Sequence, residues 1–76
     1  MILEEDLINL KTFGREKDGS FSDRWKFSIV LTDKNNSIWT LFLFSEVDGS
    51  LTYLKRLKDM DDLRNVYAAI TNEELL

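Results

Sequence analysis

The chain has 76 residues, 43% of them apolar and 32% charged, with a formal net charge of −4 and no Cys, His or Pro. These counts exclude disulfides, thiolate and imidazole metal centres, and the Cys–His and Ser–His pairs on which much nucleophilic catalysis depends. They predict one domain over residues 1–76, marginally stable because a chain of this size buries only about 60% of the surface it exposes when unfolded.

The first residues, MILEEDLINL, are acidic where a secretory leader is basic, and no run approaches the roughly 18 apolar residues of a membrane span. A soluble, cytoplasmic protein with no membrane partner is expected, and the lack of Cys fits a reducing compartment. Residues 3–13 satisfy two patterns. Glu4, Glu5 and Asp6 early, Lys11 late and Gly14 beyond suit a helix, whereas Ile8, Leu10, Thr12 and Phe13 lean toward β structure. A strand over Leu7 to Phe13 is preferred, because the loop Arg15 to Ser22 then closes a hairpin and widens the sheet. Within that loop stands Asp18-Gly19-Ser20, a phrase repeated as Asp48-Gly49-Ser50. Asp-Gly supplies the positive φ of a tight turn, so two independent turns are expected.

In Asp23 to Asp33, Trp25, Phe27, Ile29 and Leu31 alternate with Lys26, Ser28, Val30 and Thr32, the period of a strand with one apolar face. The turn Lys34 to Ser37 follows, Asn being tolerant of the left-handed backbone. Ile38 to Ser45 is apolar on both faces, with Ile38, Phe42 and Phe44 on one and Trp39, Leu41 and Leu43 on the other, which predicts a central strand. Residues 51–57 fit a further strand or a helix equally. Asp59 then caps an amphipathic helix with Asp61 and Asp62 in its first turn and an apolar stripe of Met60, Leu63, Val66, Tyr67 and Ile70. The helix is expected to end near Thr71 and Asn72, with the tail Glu73 to Leu76 fraying.

The predicted class is α+β: a small antiparallel meander of three to four strands with a C-terminal amphipathic helix on one face. A single helix covers only one side of a sheet, so large apolar side chains are left on the other, and such a patch on a small protein marks an interface. The predicted contact surface is Trp39, Leu41 and Leu43, helped by Trp25 and Tyr53. The expected function is that of a non-enzymatic interaction module, a small acidic inhibitor or accessory protein of the kind found in phages and mobile elements. No cofactor and no catalytic or metal-binding residue is expected, and the partner is a protein whose identity the sequence does not give.

Two other readings stand beside it. Trp25, Lys26, Tyr53, Lys55, Arg56 and Lys58 combine cations with aromatic rings, as single-stranded nucleic-acid binders do, with phosphates on the charges and bases on the rings. No family is recognised, but a meander followed by a helix resembles the small coactivator-like single-strand binders in element order, without a shared motif. Against this, residues 59–76 carry carboxylates and one cation, Arg64. The remaining reading is a homodimer with no other activity. Asp59, Asp61 and Asp62 serve helix capping better than a hard cation, because adjacent helical residues diverge by about 100°. Asp33 to Ser37 opens like a calcium loop, but lacks the later Gly and Glu.

Overall fold

The computed structural model describes residues 1–23 and 26–76. In chain order they form α1 (Glu4–Ile8), β1 (Gly14–Arg15), β2 (Phe21–Ser22), β3 (Phe27–Asp33), β4 (Ile38–Phe44), β5 (Leu51–Leu57) and α2 (Met60–Thr71). Each strand pairs antiparallel with the next, giving a 5-stranded meander in sequence order. The α+β class with a C-terminal helix is as predicted, with five strands in place of three to four. The extra strands are two residues long each, too short for a periodicity to show.

The N-terminal segment departs from the strand expected of it. It forms a short helix whose first turn holds Glu4, Glu5 and Asp6, where carboxylates meet the positive end of the peptide dipoles. The Asp6 carboxylate accepts the Leu3 amide at 3.0 Å, and Glu4 pairs with Arg15 of β1 at 2.8 Å. The helix drives Leu7 into the core and Ile2 beside it, and only Gly14–Arg15 joins the sheet. Residues 51–57, which suit two patterns, are the strand β5.

Two one-residue irregularities decide which side chains face which way. After the turn at residues 34–37, Asp33 pairs with Ile38, and uninterrupted pairing would set Thr32 opposite Trp39 and Val30 opposite Leu41. The ladder instead shifts at Thr32, so that Leu31 pairs with Trp39, Ile29 with Leu41 and Phe27 with Leu43. Paired residues share a face, so the apolar side of β3 and the Trp39 side of β4 lie together. The Thr32 hydroxyl bonds that of Thr40 at 2.8 Å, which satisfies a buried polar group beside the shift. A second shift lies between Leu41 and Phe42, which pair with Lys55 and Tyr53 and leave Leu54 as the extra residue of β5.

The core lies between the β3–β4 face so formed and α2, closed at one end by α1. It contains Phe13, Phe21, Phe27, Trp39, Leu63 and Tyr67 among others. Tyr67 anchors the helix, its ring 5.9 Å from Phe13 and 5.7 Å from Phe27, and its hydroxyl donates to Asp23 Oδ2 at 3.3 Å. Of the predicted helical stripe, Leu63 and Tyr67 are buried and Met60 and Val66 half-buried, while Ile70 is exposed. Asp59 caps the helix by accepting the Asp62 amide at 2.8 Å, and Asn72 ends it in the left-handed conformation. The tail does not fray as expected. Leu75 is buried, and the Leu76 carbonyl accepts the amides of Lys11 at 2.7 Å and Thr12 at 2.9 Å. Among the described residues, no helix is long and apolar enough to cross a membrane.

Candidate functional site: the sheet face without a helix

The residues predicted for the exposed face are mostly on the covered one. Trp39 is 4% exposed and Leu41 0%, with Trp39 packed edge-to-face on Phe21 at 5.8 Å. This corrects the expectation that they stand on the surface, and the cause is the register shift at Thr32. Leu43 shares their side of the sheet but lies at its margin, partly exposed beside Phe27 and Ile70. Tyr53 is 61% exposed, on the opposite face, and Trp25 lies outside the described residues.

The uncovered face is built from the other side chains of β3 and β4 and from part of β5. Val30, Ile38 and Phe42 are half-buried there, and Phe44 and Leu51, which pair with each other, are exposed. Phe42 and Tyr53 are also a cross-strand pair, with ring centres 6.3 Å apart and planes at 80°. Tyr53 and Leu51 reach this face because of the extra residue Leu54. Leu54 packs on the core and Lys55 reaches Asp62 of α2, so two successive residues turn to the helix side and those before them are reversed. Sequence alternation alone puts Tyr53 with Lys55 and so conceals this pairing. Phe42 and Phe44 were visible as the alternative face of β4.

Beside Phe44 and Leu51 the face is hollow. A cavity of about 450 Å³ is lined by Val30, Phe44 and Leu51 and by Ser20, Ser22 and Ser28, of which the Ser20 hydroxyl donates to Asp18 and the Ser22 hydroxyl to Glu16. Its rim carries Glu16, Asp18, Asp23 and Glu46, and Lys26 is the one cation among the described lining residues. The repeated Asp-Gly-Ser phrase contributes a loop at each side. Asp18 Oδ1 accepts the Ser20 amide at 2.9 Å and its hydroxyl at 2.6 Å, and Asp48 Oδ1 holds Ser50 in the same way at 3.0 Å and 2.7 Å. Gly19 and Gly49 have φ of 90° and 73°, which these loops require and other residues resist. The serine hydroxyls, and then the serine amides, hold both carboxyl groups below the ordinary Asp value, so they stay ionised.

The basic cluster of the sequence is divided rather than gathered. Lys55 Nζ bonds Asp62 at 3.0 Å on the helix side, while Arg56 pairs with Thr40 and shares the uncovered face with Tyr53. Lys58 is exposed past the end of β5, where its amide donates to Asp62 Oδ2 at 3.1 Å. On β5, one of the two edge strands, the Arg56 amide donates to the Tyr53 hydroxyl at 3.1 Å. That edge donor is thus satisfied within its own strand, and together with the bulge at Leu54 it blunts the edge against further strand pairing.

Asp59 and Asp62 are engaged in capping. The Lys58 amide, reinforced by Lys55, holds the Asp62 carboxyl below its usual value, and Asp33 is lowered by the Asn36 side chain and amide in its turn. Carboxyl groups shifted downward add stability above their unfolded value of about 3.9, and that stability is lost as pH falls through the lower folded values. The denaturation midpoint followed by circular dichroism is therefore expected to be flat from neutral pH to about 5 and to fall below about 4, less steeply in Asp62→Asn. A midpoint that rises on acidification contradicts the assignment. Among the described residues, no three or more carboxylates lie together as metal ligands.

No protein-family model matches the chain, and neither the curated proteins nor the solved structures provide a match. The arrangement itself is the ground for a functional reading.

Proposed function

We propose that the chain is a non-enzymatic protein-interaction module, a small acidic inhibitor or accessory protein that binds a partner protein through the uncovered sheet face. One observation carries this reading: Phe44, Leu51 and Tyr53 are exposed side by side on a face without a helix, with Phe42 half-buried among them. An exposed apolar patch on a small acidic chain loses free energy by staying in water and gains it on burial against another surface. Rigid aromatic anchors surrounded by charge are the common form of an interface centre.

A second reading, a face for single-stranded nucleic acid, is favoured by the neighbouring Tyr53, Phe42 and Arg56. The carboxylates around the cavity oppose it, because phosphates are repelled there, and Lys55 is committed to Asp62. A homodimer through this face is opposed on the same ground.

The test compares the native chain with Phe44→Ala/Leu51→Ser in affinity capture from cells of its source. The variant is expected to keep its fold, since both side chains are exposed, and to lose the captured partner, a drop of about fivefold or more from roughly 1 to 3 kcal/mol of lost apolar burial. Equal capture by both proteins refutes the reading. Salt-sensitive binding of labelled single-stranded DNA or RNA, lost on Tyr53→Ala, replaces it with the second one.

A further inference from the structure

We infer that the occupant of this face is a cationic segment of the partner protein, which lays a large apolar side chain on Val30, Phe44 and Leu51 and sets Lys or Arg against Glu16, Asp18 and Glu46. The inference rests on the reading of the face as a protein interface and adds the chemistry of what it takes. Three observations carry it. The cavity of about 450 Å³ is large enough for a bulky side chain, and Val30, Phe44 and Leu51 line it. Its rim is acidic, with Asp18 kept ionised by Ser20, and Glu46 is exposed. Asp23 turns to the Lys26 and Phe27 amides and to Tyr67; Glu16 and Asp18 accept the Ser22 and Ser20 hydroxyls through one oxygen each, and with Glu46 they outnumber Lys26, the one cation among the described lining residues.

Other occupants fit less well. A second copy would bring the same carboxylates against each other in a chain that already carries a net charge of −4. A polynucleotide meets the same repulsion. Addition of a strand at β5 is hindered by the Tyr53 hydroxyl on the Arg56 amide and by the bulge, and the other edge strand, β1, is only two residues long, which favours the face over the edges. An extended segment in which basic and apolar residues alternate presents its apolar side chains to one side and its charges to the other, or flanks one with the other at the rim.

The probe is a fluorescein-labelled hexapeptide of alternating Lys and Trp, with a Glu–Trp hexapeptide as its control. Binding is read by fluorescence anisotropy at low and moderate salt, and its place by amide chemical-shift mapping. The Lys–Trp peptide is expected to shift the amides of Val30, Phe44 and Leu51 and to bind more weakly as salt rises. Glu16→Gln/Glu46→Gln is expected to weaken it about tenfold, which is about 1.4 kcal/mol shared between two exposed ion pairs. Leu51→Ser is expected to weaken it as well, and the Glu–Trp peptide to leave these amides unmoved. Equal binding of the two peptides, shifts confined to another surface, no binding of the Lys–Trp peptide, or indifference to the Gln variant each overturns the inference. The interface reading itself falls separately, through equal capture by the native chain and Phe44→Ala/Leu51→Ser. Light-scattering evidence of a dimer broken by Leu51→Ser puts a second copy in the place of the cationic segment.

Discussion

Leu41→Lys is expected to leave the chain without a cooperative thermal transition by circular dichroism. Leu41 is fully buried between Ile29, its partner on β3, and Lys55, its partner on β5, on the side of the sheet that meets α2. The substitution removes the burial of a leucine and asks an ammonium group to enter the apolar core. The two losses together exceed the roughly 4 to 5 kcal/mol at which single substitutions become exceptional. A domain of this length holds about 4 to 11 kcal/mol in all, at the usual stability per residue. Trp39→Ala is the milder companion, expected to cost about 3 to 5 kcal/mol and to lower the melting temperature by roughly 10 °C or more. Had these residues stood on the surface, both variants would fold as the native chain does. Native-like melting of Leu41→Lys would therefore return Trp39 and Leu41 to the exposed face and undo the register described above.

The second large effect is expected at the helix anchor. Tyr67→Ala removes the ring that meets both Phe13 and Phe27, and with it the packing that ties α2 to the start of β3 and to the segment before β1. The expected cost is about 3 to 5 kcal/mol, since an aromatic side chain 1% exposed leaves a cavity that its neighbours cannot fill. Tyr67→Phe separates the ring from its hydroxyl. It keeps both aromatic contacts and gives up the bond to Asp23, for an expected loss of about 0.5 to 1.5 kcal/mol in urea denaturation. Similar losses in the two variants would mean that the polar contact, rather than the packed rings, secures the helix.

The parts of the fold that follow local rules were legible in the sequence. Asp59 with Asp61 and Asp62 announced the start of α2, Asn72 lay at its end, and the alternation of Phe27, Ile29 and Leu31 gave β3 with its apolar side. The two Asp-Gly phrases gave turns at Gly19 and Gly49. Where two patterns competed, long-range packing decided. The acidic first turn of α1 and the burial of Ile2 and Leu7 outweighed the β-prone residues 8–13. The tail was held by Thr12, 64 residues away from Leu76, a contact that no local pattern records. The candidate site was the least legible part, because it depends on which face of β4 is covered. That strand is apolar on both sides, so its own pattern gives no answer. The answer lies in Thr32 and Leu54, single extra residues that leave no trace in composition or period.

The register shift at Thr32 has a consequence for how this chain finds its structure. Folding ordinarily selects a strand register because the wrong one exposes apolar groups and buries polar ones, and that contrast is nearly absent in β4. A straight β3–β4 hairpin would offer α2 the rings of Phe42 and Phe44 and would present Trp39 and Leu43 to the solvent, exchanging one apolar set of β4 for the other. The discrimination falls on β3 alone, where Phe27, Ile29 and Leu31 must go inward and Ser28 and Thr32 outward. One polypeptide thus carries two apolar surfaces on a single strand, and a threonine that opposes no residue of its own on β4 determines which of them meets the solvent.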